Sequence, residues 1–466
     1  MGEPALDRAI SPDPPEAVIW IAGRLEGAGY ETWAVGGAVR DALLGRPSGD
    51  WDLATRATPT QVQGLFRRTV PIGVEHGTVG VLSGDGVLYE VTTFRRDVET
   101  TGRHAVVEFA ETLDEDLARR DFTINAIAWH PLSEAVRDPF DGQADLKRGL
   151  LRTVGIPADR FAEDYLRVLR ALRFAGTYRL RIEAATWSAL TAAAEHTKEL
   201  SPERLREELE RVLGGTVPPS RALSLYAASG VLSFLFPELD ATIGVDRGPN
   251  GDWYAHTLRV IDILTSHDTT LRWAALFQGT GEVPGSMGEA EEEGDAGQRA
   301  LLRTAAVMGR LRCSNAMVRR VAELAQWIGY PPSSDESDKV LRRWLSASGR
   351  HTLISLIRVW IAGVRADEGM SAGLCSGAVK GRWDRSELLQ LYARLRSLTR
   401  SGAPLHVGEL SVSGRDLIQM GYAPGPEFGE VLGHLLDFTL EDPRRNVPEL
   451  LCEEANRWMS ERGQAR

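Results

Sequence analysis

Several features are scarce or missing in this chain of 466 residues. It has three cysteines, an odd number at wide spacing, which excludes a disulfide framework and a cysteine-based zinc site. No run of eighteen apolar residues occurs, so we expect no transmembrane helix, and the first residues lack the basic and apolar regions of a secretory signal. These absences favour a cytoplasmic protein without membrane partners.

Lysine is also scarce, since nearly all of the 54 basic residues are arginines. The formal net charge of −11 argues against a protein that holds nucleic acid by bulk charge alone, but it leaves room for a local basic groove. Arginine is the better bidentate partner for phosphates and base edges. A local set of arginine contacts to a nucleotide or an RNA is compatible with this composition.

The chain is too long for one hydrophobic core, and we expect two to four domains. Strand patterns fall at 31–35, 50–54, 77–82, 87–94 and 106–109, whereas the periodic segments beyond are helical, at 159–175, 201–213, 223–235, 256–266 and 270–277. We therefore predict an α+β fold that begins with a mixed sheet. The predicted parts are a loose leader (1–16), a head (17–145), and a helical neck (146–240), body (241–395) and tail (396–466). Residues 279–298, rich in glycine and acids, predict a disordered surface insertion.

Asp50 and Asp52 are the most informative pair of residues. Two carboxylates at i and i+2 of a strand point to the same face, so they can share metal ions while Trp51 faces the opposite layer. Two aspartates on one face repel each other unless a cation neutralises them. A third carboxylate would complete a two-metal site, and Glu90, in the middle of a predicted strand, is the candidate. The alternatives are a solvated strand edge for the aspartates and an arginine partner for Glu90.

A Gly36-Gly37 turn precedes this pair, after an apolar strand and before a helix that carries Arg40. Glycines let backbone amides approach an anion, and a helix N-terminus adds its dipole. Alone, this signal is weak, because Gly-Gly turns are common. Followed by Asp50 and Asp52, it predicts a site for a triphosphate and its metal ion.

Nine segments agree with one family in content, order and spacing: 36–46, 50–55, 119–126, 138–142, 163–167, 170–174, 201–204, 413–417 and 424–429. In these segments the chain resembles the class II tRNA nucleotidyltransferases, which include CCA-adding enzymes and bacterial poly(A) polymerases, within the DNA polymerase β superfamily. The resemblance is dense over 30–215 and thin over 240–400. It implies a nucleotidyltransferase head of polymerase β type and helical parts that grip the elbow and acceptor stem of tRNA.

The resemblance also implies an activity, the template-independent addition of CCA to the 3′ end of tRNA from CTP and ATP. Asp50 and Asp52 would bind Mg²⁺ and act in catalysis together with Glu90. The residues expected to bind the nucleotide are Gly36, Gly37, Arg40, Arg120, Asp121, Asn125, Glu163, Asp164, Arg167 and Arg170. In the family, the segment that contains Asn125 helps to select the ribose.

Asp164 and Arg167 offer a physical basis for choosing the base. Three residues apart on a predicted helix, they would share a face. Cytosine and adenine both present an amine donor beside a ring-nitrogen acceptor, whereas uracil and guanine present the reverse order. A carboxylate beside a guanidinium therefore accepts C and A and rejects U and G, with Glu163 orienting Arg167. The alternative is a surface salt-bridge pattern worth a few tenths of a kcal/mol.

The polar stretch 96–104 has no period and is expected to be the flexible loop that the family needs for the final A. Its length disfavours an enzyme that adds only CC. His256 lies in a region that resembles an HD-phosphohydrolase domain, but Gln278-Gly279 stands where that chemistry needs His-Asp. We therefore expect His256 to be a packing histidine and expect no phosphohydrolase activity.

Two alternatives for the function remain open. A poly(A) polymerase or an A-only adding enzyme is the alternative within the family. A non-catalytic RNA-binding protein on the same fold is the alternative of another class, although such a protein would be expected to lose one of the paired aspartates. The sequence leaves the oligomeric state open.

Overall fold

The structure, a computed structural model, describes residues 12–47, 49–84, 86–101, 104–247, 251–265, 267–283, 295–329, 331–371, 385–422, 425 and 427–463. The chain forms two compact units that divide between Leu235 and Phe236. Within the described ranges, the strands all belong to the first unit and the second unit is helical. The predicted α+β fold, a mixed sheet followed by a helical remainder, is confirmed. The finer division into leader, head, neck, body and tail stays a prediction.

The strands of the first unit are β1 (Thr32–Val35), β2 (Asp52–Thr55), β3 (Thr69–Gly73), β4 (Thr78–Leu82), β5 (Leu88–Thr93), β6 (Arg95–Thr101), β7 (His104–Phe109), β8 (Ala128–Trp129), β9 (Val136–Arg137), β10 (Leu150–Leu151) and β11 (Arg181–Ile182). Its helices are α1 (Glu16–Gly27), α2 (Gly37–Leu43), α3 (Pro59–Leu65), α4 (Leu113–Ala118), α5 (Gly142–Lys147), α6 (Pro157–Glu163), α7 (Leu166–Tyr178), α8 (Ala184–Ala193), α9 (Pro202–Leu213), α10 (Ser220–Ala228) and α11 (Val231–Leu235).

The helices of the second unit are α12 (Pro237–Asp240), α13 (Trp253–Ile263), α14 (Thr269–Leu276), α15 (Ala296–Arg310), α16 (Asn315–Ile328), α17 (Asp338–Ser348), α18 (Leu353–Ser371), α19 (Arg385–Arg400), α20 (Gly414–Gln419), α21 (Glu427–Glu441) and α22 (Pro448–Gly463). Near the end of the chain, Leu417, Val431, Leu435 and Leu451 form an apolar core between α20, α21 and α22. None of the described helices is both long and apolar enough to cross a membrane.

Seven strands form one sheet in the order β3-β4-β5-β2-β1-β8-β9. Strands β2 and β5 are parallel, and the other neighbours are antiparallel. One face packs against α1 and α3, and its Leu53, Val79 and Val91 are fully buried. Because side chains alternate along a strand, the residues next to these point to the other face. That second face packs against α4 through Val35, Ala54 and Ala128. Its uncovered part, which we call the open face, carries the polar side chains of the site.

The strand predictions were right in part. Strand β2 begins at Asp52, two residues later than expected, so Asp50 lies before the strand. Residues 106–109 pair with β6 in a separate two-stranded sheet, and β3, β8 and β9 were not predicted. The stretch 96–104, expected to be an irregular loop, forms strand β6 as far as Thr101 and begins β7 at His104; residues 102 and 103 lie outside the described ranges. Its flexibility and its role in adding the final A stay predictions.

Two predicted helices are interrupted. The segment 159–175 is divided between α6 and α7, because Asp164 has an extended backbone (φ −158°, ψ 105°) and its Oδ1 accepts a hydrogen bond from the Leu166 amide. Aspartate competes with helical hydrogen bonds in this way. The segment 223–235 breaks at Gly230, whose φ of 80° belongs to the left-handed region that glycine adopts most readily.

The bounds of the predicted insertion, 279–298, are wrong at both ends. Thr280–Glu282 forms a turn of 3-10 helix in which the Thr280 side chain is fully buried, and α15 begins at Ala296. Arg303 of α15 donates a hydrogen bond to the carbonyl of Val283, at 3.2 Å, and so joins the two ends. The predicted disorder of residues 284–294 lies outside the described residues.

Candidate active site

Asp52 and Glu90 lie side by side on the open face of the sheet. The parallel register pairs Leu53 with Val91, so the preceding residues, Asp52 and Glu90, are also level with each other. Leu53 and Val91 are fully buried on the opposite face, so the two carboxylates must point away from α1 and α3. The structure therefore brings together two of the three carboxylates that the sequence predicted for the metal site.

Asp50 lies in the segment that precedes β2, near enough for its charge to act on Asp52. It is exposed, and Trp51, which separates it from Asp52, is buried at 3% exposure and packs against Trp129. Burial, with the charges of Asp50 and Glu90, raises the pKa of Asp52 to about 6, against the opposing effect of Arg120. A carboxyl group that is difficult to ionise beside two other carboxylates marks a point of excess negative charge.

The donor atoms at this point suit a hard divalent cation, because they are carboxylate oxygens alone. Among the described residues, no three His, Cys, Asp or Glu side chains are gathered closely enough to hold a metal ion by themselves. This is compatible with Mg²⁺, which proteins usually bind through one or two carboxylates together with substrate phosphates and water. The carboxylates therefore fit a metal ion that takes its other ligands from outside the protein.

Gly36 forms the turn between β1 and α2, and it lies next to Asp52. Its φ of 77° favours glycine, and an added Cβ would lie 3.1 Å from Nη1 of Arg120 and 4.0 Å from Oδ2 of Asp52. A side chain here would therefore fill the space between the carboxylate and the guanidinium. Gly37 is the first residue of α2, as expected for a turn that leads into a helix.

Arg120 is held in place by a residue that the sequence did not single out. Asp116, which is 1% exposed, accepts a hydrogen bond from Nη2 of Arg120 at 3.0 Å. Burial works to raise the pKa of Asp116, but Arg120 and Arg119 outweigh it and hold the pKa below its usual range. Within the described residues, Nε of Arg120 is buried without a hydrogen-bond partner. The guanidinium thus has an unused donor, while its Nη1 is the atom that lies nearest to Gly36.

Arg40 does not project into open space as a phosphate ligand would. It is 5% exposed, and it donates to Oδ1 of Asp41 at 3.0 Å and to Oδ1 of Asn125 at 2.5 Å. Its third partner is the hydroxyl of Tyr178, and its guanidinium lies 4.2 Å from the centroid of that ring. Arg40 therefore joins α2 to Asn125 and to the end of α7.

Asp121 connects the same network to the middle of α7. Its Oδ1 accepts from Nδ2 of Asn125 at 2.9 Å, and its Oδ2 accepts from Nε of Arg170 at 2.7 Å. Burial works to raise the pKa of Asp121, but Arg170 and Asn125 outweigh it and hold the pKa below its usual range. Arg170 and Tyr178 lie eight residues apart on α7, so the network contacts this helix at two places.

The predicted base-selecting residues lie at the junction of α6 and α7. Arg167 donates to Glu163, as expected, and Glu163 also accepts from Nη1 of Arg160 at 2.9 Å. Asp164 and Arg167 do not share a helix face, because Asp164 lies in the break between the two helices. Instead, Arg204 of α9 donates to Oδ2 of Asp164 at 2.7 Å.

Three supporting residues, Asp116, Tyr178 and Arg204, were missed as members of the site. Arg204 belongs to a segment that carries the family resemblance, so a signal was present but had no assigned role. Asp116 lies four residues before Arg120 on a capped helix, a spacing typical of a salt bridge. Tyr178 contacts Arg40 across 138 positions of sequence, and no local pattern indicates that contact.

His256 in the second unit is a buried packing residue rather than an open ligand. It is 2% exposed, and its Nδ1 lies 3.2 Å from Oδ1 of Asp367, which also accepts from Nη1 of Arg247 at 2.9 Å. Burial lowers the pKa of His256, although its hydrogen bond to Asp367 opposes the shift. Gln278, in the place where HD chemistry needs a metal ligand, donates to Oγ1 of Thr257 at 3.4 Å. The expected lack of phosphohydrolase activity stays a prediction.

Comparison with known proteins agrees with this geometry. Residues 32–152 match the Poly A polymerase head domain, and residues 179–243 match the family described as the probable RNA and SrmB-binding site of polymerase A. The CCA-adding enzyme of Levilactobacillus brevis is 33% identical over 414 residues, which cover 88% of this chain and 90% of that protein. The CCA-adding enzyme of Streptococcus suis is 46% identical over 195 residues, 41% of this chain and 48% of that protein.

Solved structures give the same result. The Bacillus stearothermophilus CCA-adding enzyme in complex with CTP has a TM-score of 0.69 and 29% identity, and the match covers 97% of this chain and 100% of that one. The Thermotoga maritima CCA-adding enzyme complexed with tRNA has a TM-score of 0.58 over 97% of both chains and, at 19% identity, shows the shared fold alone. The chain therefore belongs to the family of tRNA nucleotidyltransferases that contains the CCA-adding enzymes and bacterial poly(A) polymerases.

Proposed function

We propose that this protein adds or repairs the 3′-terminal CCA of tRNA, using CTP and ATP and no nucleic-acid template. The observation that carries the proposal is the placement of Asp52 and Glu90 on one open sheet face, beside Gly36 and the guanidinium of Arg120. Carboxylates for a metal ion next to donors for phosphate are what nucleotidyl transfer to a hydroxyl group requires. The L. brevis CCA-adding enzyme, matched over 90% of its length, supports the same activity.

Asp50 and Asp52, with Glu90 beside them, would bind the divalent metal ion that enzymes of this family use together with phosphate and water ligands. We propose that this ion is Mg²⁺ because the donors are oxygen atoms alone. When bound, Mg²⁺ would make the 3′-hydroxyl of the RNA more acidic and offset charge on the triphosphate. The carboxylates themselves would have to be ionised. The raised pKa of Asp52 therefore makes this residue the one whose ionisation limits metal binding at acidic pH.

Gly36, Gly37 and Arg120 would hold the triphosphate. The buried, unused Nε of Arg120 and the absence of a side chain at Gly36 both support this assignment. Arg40 would have to leave Asp41, Asn125 and Tyr178 before it could bind a phosphate. We therefore infer that Arg40 acts indirectly, by holding Asn125 in place.

Asp121, Asn125 and Arg170 would then form the ribose side of the nucleotide site. Asp121 is buried and bonded to both of the others, so these three residues form one rigid unit rather than three separate ligands. The family resemblance supports a role for this segment in recognising the 2′-hydroxyl. A rigid set of donors and acceptors is well suited to such a choice, because a substrate without the hydroxyl leaves them unpaired.

Asp164 and Arg167 would select the base. The carboxylate would accept from the exocyclic amine of C or A, and the guanidinium would donate to the ring nitrogen beside it. Each has a second partner that limits its movement, Arg204 for Asp164 and Glu163 for Arg167. The two side chains would thereby replace a template strand, although they reach the base from a helix break and not from one helix face.

The proposed macromolecular partner is tRNA, through its 3′ end, acceptor stem and elbow. The match of residues 179–243 to an RNA-binding family and the fold shared with a tRNA-bound CCA-adding enzyme support this partner. The proposed location is the cytoplasm, in agreement with three widely spaced cysteines.

One experiment separates this proposal from its alternatives. Purified protein would be incubated with Mg²⁺ and tRNA ending at the discriminator base, with CTP and ATP given separately and together. We expect growth by three nucleotides with both, and by two with CTP alone. Extension by ATP alone of a tRNA ending in CC would indicate an A-adding enzyme, and a long ATP-only tail would indicate a poly(A) polymerase. RNA binding without extension, unchanged in Asp50→Ala and Asp52→Ala, would indicate a non-catalytic protein.

A further inference from the structure

An apolar surface lies beside the carboxylates on the open face of the sheet. The registers pair Val70 with Gly80 and Gly80 with Glu90, and Glu90 is level with Asp52. These four residues form one row across β3, β4, β5 and β2, and all of them point to the open face. Since neighbouring strands lie about 4.8 Å apart, Val70 is roughly 10 Å from Glu90.

Three side chains form this surface, which we call the apolar shelf: Val70, Ile72 and Leu88. Each is more than 40% exposed. A Cβ added to Gly80 would lie 2.7 Å from Cδ1 of Ile72 and 2.9 Å from Cδ1 of Leu88, so these two side chains lie over the glycine and almost meet. The shelf is thus continuous from β3 to β5, and it ends at Glu90, two residues after Leu88.

A cation lies at the edge of the shelf. Arg68 is exposed, and its carbonyl accepts a hydrogen bond from the Leu82 amide at 3.0 Å, which continues the β3–β4 ladder by one residue. Because side chains alternate along the strand, Arg68 and Val70 point to the same face. An apolar surface with an arginine at its edge is suited to a nucleotide, because a nucleotide offers an apolar base face and a phosphate.

The geometry of the reaction indicates which nucleotide, the incoming one or the end of the acceptor RNA, would occupy the apolar shelf. A bond forms between the 3′-oxygen of the RNA and the α-phosphorus, the bond to pyrophosphate breaks, and the hydroxyl proton passes to solvent. Attacking and leaving oxygens lie roughly in line on opposite sides of the phosphorus. Gly36 and Arg120, the residues proposed to bind the triphosphate, lie on the β1 side of Asp52. The 3′-hydroxyl must therefore arrive from the β5–β4–β3 side.

We propose that the apolar shelf receives the 3′-terminal nucleotide of the acceptor RNA, with its base or ribose on Ile72 and Leu88 and a phosphate at Arg68. This inference rests on the proposed function. During CCA synthesis the shelf would receive a new terminal nucleotide before every addition: first the discriminator base, which can be any of the four, then the first C and then the second C. A surface that reads hydrogen bonds would reject some of these ends, whereas an apolar surface accepts all of them.

The test uses the full-length protein and a fluorescent tRNA whose 3′-terminal nucleotide is 2-aminopurine, so that docking is observed without catalysis. Leu88→Ser and Arg68→Glu would be compared with Val136→Ser. Val136 is 43% exposed, close to the 42% of Leu88, and lies on β9 at the other edge of the same sheet. We expect the first two variants to weaken the fluorescence response to binding and raise the KM for tRNA by about tenfold, with the KM for CTP unchanged. Val136→Ser should behave like the wild type.

Unchanged binding of the 2-aminopurine end in both Leu88→Ser and Arg68→Glu would overturn the proposal. So would a wild-type dimer in light scattering that Leu88→Ser dissociates, since the shelf would then contact a second copy of the chain. The wild type could bind the labelled end, and the two shelf variants fail to bind it, while the wild type extends no tRNA. The proposed function would then fail, but the docking surface would stand. Circular dichroism of each variant checks that the sheet is intact.

Discussion

Arg204 fixes the position of Asp164: its Nη2 donates to Oδ2 of the carboxylate at 2.7 Å, from a helix forty residues further along the chain. Asp164 lies in the break between α6 and α7, where no helical backbone restrains it. The rigidity of the proposed base-selecting carboxylate therefore depends on α9.

Replacement of Arg204 should lower the accuracy of nucleotide choice. A hydrogen bond to a charged group is worth about 1.5–3 kcal/mol, so Arg204→Ala should raise misincorporation of U or G roughly tenfold or more. The measurement is the kcat/KM ratio for CTP against UTP. Arg206→Ala, on the same helix and paired with Glu210 at 3.7 Å, is the control and should keep wild-type accuracy. Equal accuracy in both variants would show that Arg204 does not orient Asp164.

Asp52 should reduce the stability of the metal-free protein at neutral pH. Its pKa of about 6 lies above the ordinary value of 3.8, so the stability that its neutral form provides is present below pH 4 and is lost as pH rises through 6. Asp52→Asn should abolish extension and yet stabilise the protein at pH 7 without metal by roughly 1–2 kcal/mol. Denaturant unfolding at pH 7 and pH 4.5, with and without Mg²⁺, measures this effect. An advantage of the variant that does not shrink at pH 4.5 would contradict the shifted pKa.

Asp121 should have the opposite pH dependence. Its pKa is held below the usual range, so the stability that the ionised form provides is present at neutral pH and is lost only as pH falls below about 4. Asp121→Asn leaves Arg170 without its charged partner and should cost about 1–3 kcal/mol at pH 7, together with a large loss of activity.

The matched control for Asp121 is Asp114→Asn, which removes a carboxylate from an exposed pair with Arg137. Exposed pairs contribute about 0–1 kcal/mol, so this variant should unfold almost as the wild type does. Similar losses in both variants would mean that the buried network has no special role in stability.

Glu208 joins α7 to α9. It is 1% exposed, and it accepts from Nε of Arg173 at 2.6 Å and from Nη1 of Arg211 at 2.9 Å. Glu208→Ala leaves a buried ion pair without its anion and should cost about 3 kcal/mol of unfolding free energy. Glu207→Ala, at the exposed neighbouring position, should change stability by less than about 0.5 kcal/mol. A loss for Glu208→Ala no larger than that of its neighbour would show that this contact does not hold the helices together.

Local sequence led to two of the carboxylates that the structure brings together. Asp52 and Glu90 lie level on neighbouring strands, and strand geometry fixes which residues share a face. Asp50 lies before β2, so its place beside Asp52 does not follow from strand alternation. The break at Asp164 could not be predicted in this way. The apolar period continues through it from α6 to α7, and no proline or glycine marks it, so only the side-chain hydrogen bond of Asp164 explains why the helix ends.

Contacts between residues far apart in the chain could not be predicted from the sequence either. Arg40 and Asn125 were predicted as separate nucleotide ligands, but they bond to each other across 85 positions, and Tyr178 binds Arg40 across 138. Arg40 is therefore poorly suited to bind a phosphate, because most of its N–H donors already bond to other protein groups. Strand β6 was missed for a similar reason, because it is defined by its backbone pairing with β7, and the pattern of a single strand does not record that pairing.

The most direct measurement offers the protein all four nucleoside triphosphates at equal concentration, with Mg²⁺ and tRNA that ends at the discriminator base, and reads the 3′ ends by sequencing. If Asp164 and Arg167 select the base in a site formed by Asp50, Asp52 and Glu90, the ends will be CCA, added in that order and stopping after three nucleotides. Arg167→Ala should then admit U and G, and Asp52→Ala should add nothing. Wild-type ends that contain U or G, or that continue as an A tail, would contradict this assignment.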